Sequence, residues 1–311
     1  MDGAESKADE RGAKLGLLWM LLATVCFGGM SVFVKLLRED GMSTNEVMFW
    51  RMAPGLPWVW IELRLRRLSV WPERARTIAA RSLYGLGAMA CYFYALRTLS
   101  VIQYTVLTLM QPVFVALLAP AMLAERLRRS AVVALAVALL GALVVLRPDR
   151  VQSVRVELLP VVVGLAATVL SALAHIYVRR ATSPNPEAEG RPVDPPERVV
   201  FWFTVAVSLV ALLGGLTQGD FLRGLPPGLE LSPAVLKIAG AAGFGLAGQL
   251  FMTRAYGRAA APIVAMVAYS AIPASLVLDW LIWDLRPGIA EIAGSLAMVG
   301  AGVLLVRGRN T

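Results

Sequence analysis

Ten blocks of apolar residues follow one another along the chain, each near the ~20 residues that a helix needs to cross ~30 Å of hydrocarbon. They place membrane spans near residues 15–37, 44–63, 78–96, 102–123, 130–147, 157–178, 199–217, 235–256, 262–283 and 288–306. Short charged or Pro/Gly-rich breaks separate them. One such block would fit a buried helix of a soluble protein. Ten do not: with 58% of the 311 residues hydrophobic and 16% charged, too little polar surface is left to cover them. The first block is too long for the apolar core of a signal peptide, and no small-residue cleavage site follows it. It is expected to stay in the mature protein, after a tail at 1–14.

The net charge of +9 invites a nucleic-acid reading, which the distribution of charge argues against. With a cytoplasmic N-terminus, the inner loops hold Arg64, Arg66, Arg67, Arg74, Arg76 and Arg81, then Arg126, Arg128 and Arg129, then Arg179, Arg180, Arg191 and Arg198. Basic residues collected on the inner side are a topology signal. They put both termini in the cytoplasm and make membrane lipid, with no nucleic acid, the expected surroundings. Cys26 and Cys91 both fall inside spans, so neither a disulfide framework nor a metal site is expected. No GxxxxGK[ST] phosphate loop occurs, so the chain by itself is not expected to run on ATP, and no cofactor is expected.

The chain also repeats itself. ATVCFGGMSVFVK at 23–35 is echoed by ATVLSALAHIYVR at 167–179, so that Phe33 answers to Tyr177 and Lys35 to Arg179. VMFW at 47–50 is echoed by VVFW at 199–202, YGLGAM at 84–89 by FGLAGQ at 244–249, and Leu-Gly-Ala at 140–142 by Val-Gly-Ala at 299–301. Glu125-Arg126, near the end of the fourth span, is echoed by Asp284-Leu285-Arg286 near the end of the ninth, so the echoes keep their order across five pairs of spans. Two halves follow, 15–148 and 157–308, the second containing a Pro-rich, charged cytoplasmic loop at 181–198. Five is odd, so the second half enters the membrane upside down. The expected fold is an all-α integral membrane protein with ten transmembrane helices in two inverted five-helix repeats, the design of many secondary transporters.

Several stretches carry a family likeness: GLLWMLLATVCFGGMSVFVKLL at the start, Phe49-Trp50-Arg51, CYFYALRTLS at 91–100, and above all QPVFVALLAPAMLAERL at 111–127. Over nearly its whole length the chain resembles the EamA-type branch of the drug/metabolite transporter superfamily. Ala124 stands where that family usually has the Gly of Gly-Glu-Arg, and in the second half Asp284 stands where Glu is usual. The resemblance implies ten helices, cytoplasmic termini, and a central cavity walled by spans one, three, four, six, eight and nine. It also implies transport of small organic solutes such as amino acids, nucleotide-related metabolites or drugs.

Solute sites combine apolar walls with a few aimed polar groups. In-span polar residues include Thr24, Gln103, Thr108, Gln111, Gln249 and Ser270, with aromatics nearby. On the implied cavity spans this selects Trp19, Phe27, Tyr92, Gln111, His175, Gln249 and Tyr269 as substrate-binding candidates. His175 is the only histidine, and its ordinary pKa lies near neutrality. Arg51 and Asp279 are the candidate anchor and coupling residues, since a charge at mid-membrane costs about 2.5–3.5 kcal/mol on insertion scales and must face protein or water. Arg51 has a structural alternative in pairing with Glu46. Pro112 and Pro273 each remove a backbone donor in spans four and nine.

The function expected is export of a small organic solute by alternating access, from the inner membrane of a bacterium, by a monomer or homodimer. An intramembrane enzyme would need convergent acid, base and nucleophile groups, and the lone histidine has no such company. A non-transporting receptor is the other alternative, and it has little use for an inverted repeat.

Overall fold

The computed structural model describes residues 2–95, 99, 107–125, 129–146, 158–184, 192–222, 231–284 and 286–307. Among them lie twelve α-helices and no strand. They are α1 (Asp2–Glu39), α2 (Thr44–Met52), α3 (Gly55–Leu65), α4 (Ala75–Ala95), α5 (Gln111–Leu123), α6 (Arg129–Leu146), α7 (Leu158–Thr182), α8 (Pro196–Gln218), α9 (Leu231–Arg258), α10 (Ala261–Val267), α11 (Ala271–Trp283) and α12 (Ile289–Arg307). Residues 2–14, expected as a tail, continue α1 as helix.

Two expected spans are interrupted, which the apolar blocks do not reveal. Pro54 has no N–H to offer the preceding turn, and the 44–65 run divides into α2 and α3 around Ala53 and Pro54. The run from 261 divides at a 3-10 turn, Ala268–Ser270, which ends three residues ahead of Pro273. Pro112 sits in the first turn of α5, where a missing N–H goes unfelt. The twelve helices therefore make ten helical runs, which fits ten crossings. Among the described residues, four stretches are long and apolar enough to cross a membrane by themselves: Arg11–Glu39, Leu158–Thr182, Pro196–Gln218 and Pro233–Arg258.

The packing has the polarity of a membrane protein. Leu18, Leu83, Leu117, Leu140, Leu213 and Leu296 are each more than half exposed. The interior is instead rich in alanine: Ala23, Ala119, Ala172, Ala255 and Ala265 are nearly or fully buried. In lipid the large apolar side chains lose nothing by facing outward, and small residues let helices approach. The closest seams run between α1 and α9, α4 and α7, and α6 and α12. At the last, Gly141 and Gly294 lie backbone to backbone: a Cβ on Gly141 would stand 2.7 Å from the carbonyl oxygen of Gly294.

Charge gathers at the ends of the bundle. At one end, Glu125 accepts from Arg179 Nε and from the backbone N–H of Ala261, each at 2.7 Å, and Arg179 also donates to Tyr256 O at 2.9 Å. This knots the ends of α5, α7 and α9 to the start of α10. Arg254 pairs with Glu197 at 2.7 Å, and Asp194 accepts from Arg198 and from the N–H groups of Glu73 and Arg74. At the other end, Asp220 accepts from Ser43 and Asn45, and Lys237 pairs with Asp40 at 2.6 Å.

Candidate functional site

A cavity of about 320 Å³ lies between α1, α2, α4, α5, α7, α8 and α9. That is the lower range of small-molecule sites, which run from about 300 to 1,000 Å³. Its walls are mostly apolar or small, with Phe27, Ala88, Met89, Ala167, Ala174, Phe203 and Met252. Its polar groups are Arg51 from α2, Arg81 and Tyr92 from α4, Thr108 and Gln111 around the start of α5, Thr168, Ser171 and His175 from α7, and Gln249 from α9.

His175 Nδ1 lies 2.7 Å from the carbonyl oxygen of Ser171 and 3.0 Å from Gln111 Nε2. A carbonyl only accepts and an amide N–H only donates, so a bond to Ser171 takes the proton on Nδ1 and a bond from Gln111 takes the lone pair there; each tautomer makes one of the two. The ring also packs 5.3 Å from that of Tyr256. One helical turn further along α7, Arg179 meets Glu125, so the ion-pair knot lies just beyond this side of the cavity.

Of the residues singled out from the sequence, the structure brings Phe27, Arg51, Tyr92, Gln111, His175 and Gln249 together around this cavity. It sets Trp19 and Tyr269 elsewhere. Trp19 stacks on Phe251 at 5.1 Å, with the Arg254 guanidinium 5.7 Å from its ring. Tyr269 is buried and donates its phenol proton to the carbonyl oxygen of Leu109. Thr24 and Ser270 hydrogen bond to each other at 3.2 Å. Gln103 and the side chain of Asp279 lie outside the described residues. Spans two and seven also reach the cavity, through Arg51 and Phe203, while no described side chain of α10 or α11 lines it. The break at Ala268–Ser270 turns Tyr269 toward Leu109 and into the cluster around α6 and α12.

Two arginines stand out. Arg51 does not pair with Glu46, which is used in a capping box with Ser43. Its Nη1 instead lies 3.6 Å from Met30 Sδ, and its Nε is buried without a hydrogen-bond partner. Arg81 is 4% exposed, with its guanidinium 3.9 Å over the Phe203 ring, and both Nε and Nη1 lack partners. By its place in the sequence, Arg81 belongs with the inner-loop cations. A local signal was available: Gly85 follows one turn later on the same helix face, and a Cβ there would stand 2.6 Å from Arg81 Nη1. The glycine makes room for the guanidinium to lie back along α4.

Over 294 residues the chain is 30% identical to the pseudopaline exporter CntI of Pseudomonas aeruginosa, an alignment spanning 94% of this chain and 96% of the relative. Residues 14–147 match the EamA-like transporter family. The chain belongs to that family. An uncharacterized transporter of Helicobacter pylori is 27% identical over 303 residues, 93% of this chain and 94% of that one. A riboflavin transporter of Rhizobium johnstonii is 25% identical over 304 residues, 95% and 92% of the two chains. A crystal structure matches with a TM-score of 0.73 at 18% identity, covering 97% of this chain and 99% of its own, which establishes a shared fold. This EamA-like protein is thus a multi-pass integral membrane protein that transports small solutes.

Proposed function

We propose that this EamA-like transporter exports a small organic solute from the bacterial cytoplasm by alternating access. In this reading the molecule is built of two inverted five-helix repeats, 15–148 and 157–308, the second with its loop at 181–198, and both termini are cytoplasmic. The export direction is supported by the exporter with which it shares 30% identity.

The helix pairings support the repeat. If each run of the first half corresponds to the run five places later, the α1–α9 seam must have the α4–α7 seam as its counterpart. Likewise α4–α8 must answer to α2–α9, and α5–α7 to α1–α11. All six contacts are present, whereas among the described residues the α7–α9 and α8–α9 contacts have no comparable counterpart between α1 and α4 or between α2 and α4. The pairs α6–α12, α2–α8 and α5–α10 map onto themselves, as pairs straddling a two-fold axis do, and these also are in contact.

The observation that carries the transport mechanism is a mostly apolar cavity with a few aimed polar groups, set among helices of both proposed halves, with the Glu125–Arg179 knot one helical turn beyond His175. Alternating access requires a site sealed from one face at a time. With cytoplasmic termini, this knot is the inner gate in its closed form, and inward opening requires its ion pair to part. Phe27, Tyr92, Gln111, His175 and Gln249 contact the solute, and Arg51 anchors it. Trp19 and Tyr269 support the wall from behind, and Asp279 is the candidate for ion coupling.

The test is counterflow. Purified protein is reconstituted into vesicles loaded with a whole-cell metabolite extract, and the compounds lost are identified by mass spectrometry against protein-free vesicles. Specific loss of a compound class is expected. Folded protein that releases nothing, with and without an imposed proton or sodium gradient, would overturn the reading.

A further inference from the structure

Among the described residues, the cavity is lined by two cations, Arg51 and Arg81, and by no Asp or Glu. The carboxylates on neighbouring elements are used elsewhere. Glu125 holds Arg179 and the start of α10, Glu197 holds Arg254, Asp194 holds Arg198, and Glu46 caps α2. Neither cavity arginine makes an ion pair among the described residues.

The contacts they do make leave their donors unspent. Phe203 covers one face of the Arg81 guanidinium, an attraction that engages the plane and not the N–H groups at its edge. Nε and Nη1 of Arg81, and Nε of Arg51, are buried without an acceptor. An arginine stacked on one face with its edge free is arranged for planar, two-point recognition of a carboxylate or phosphate. A sulfur such as Met30 Sδ is too weak an acceptor to replace one.

We propose that the transported solute is an organic anion whose carboxylate or phosphate groups are held by Arg51 and Arg81. This rests on the transporter reading above and names the substrate class of that same cavity. Arg81 is the deeper anchor, fixed against Phe203, with Gly85 providing its space. The solute itself supplies the negative charge that the protein withholds, so the empty cavity is poorly compensated and the loaded one is satisfied.

The experiment divides the metabolite extract on an anion-exchange resin into a retained acidic fraction and a neutral and basic flow-through. Vesicles holding wild-type protein are loaded with each. Release from the acidic fraction is expected, falling at least tenfold in Arg81→Gln and in Arg51→Gln and partly recovered in Arg81→Lys. Phosphatase treatment of the acidic fraction separates the two sources: release that disappears identifies a phosphate ester, and release that persists identifies a carboxylate. In detergent, the acidic fraction should raise the melting temperature of the wild type but not of Arg81→Gln, which checks binding independently of transport. Release confined to the neutral and basic fraction would overturn the proposal and leave the exporter reading intact, as would Arg81→Gln and Arg51→Gln proteins that release the acidic fraction at the wild-type rate. Absence of release from both fractions by folded protein would overturn both readings.

Discussion

Ala124 ends α5 in the left-handed region, at φ 55°, with its N–H bonded to the carbonyl of Ala119. A methyl group there crowds the backbone, and glycine avoids the strain. The position is the one where glycine is usual in the EamA-type motif, so the motif's first residue has a backbone reason and not a chemical one. Ala124→Gly should stabilise the protein by about 1 kcal/mol, read as a higher midpoint in thermal unfolding in detergent. Gly85 predicts the opposite sign. A Cβ would stand 2.6 Å from Arg81 Nη1 and 2.8 Å from the Phe203 ring, so Gly85→Ala should displace the guanidinium. Membrane levels should hold while counterflow drops by about tenfold, equivalent to ~1.4 kcal/mol. Arg81 also shows where reading from sequence stops. A cation near the start of an apolar run looks the same whether it projects into water or folds back between helices. Only the packing of α4 against α7 and α8 separates the two.

Among the elements, hydropathy marks the apolar runs well because lipid imposes a length on each of them. It is blind to interruptions, since a broken helix and a straight one have the same composition. The breaks at Ala53–Pro54 and Ala268–Ser270 follow local backbone chemistry that a window average erases. They change the site. Tyr269 reads as a wall aromatic if its run is straight, whereas across the break it donates to Leu109 O, in the turn that leads into α5. One hydrogen bond thus ties two irregular segments together. Tyr269→Phe would leave a buried carbonyl without its donor, and a loss of about 1–3 kcal/mol is expected. The matching readout is a lower unfolding midpoint with the helical circular dichroism spectrum unchanged.

For the whole molecule, the proposed ten-span topology predicts that Ser69, between α3 and α4, and Gly288, between α11 and α12, lie on opposite faces of the membrane. Both are exposed. With Cys26 and Cys91 replaced, Gly288→Cys should react with an impermeant maleimide on intact cells, and Ser69→Cys should react only after the membrane is opened. Equal labelling of the two on intact cells would break the topology.

The seam between Gly141 and Gly294 gains its meaning at this scale. It lies away from the cavity, and the two backbones meet there ringed by Val145, Ala297 and Met298. Contact that close leaves α6 and α12 little room to slide past each other. If the two halves rock as proposed, the motion must be taken up in the α1–α9 and α4–α7 seams, where rings such as Phe27 press on flats such as Gly248. If those seams are counterparts, tightening one loosens the other, and the resting position of the machine is a matter of balance between two similar springs. Small changes far from any solute, such as one methyl on a seam glycine, would then shift which way the protein faces without altering what it binds.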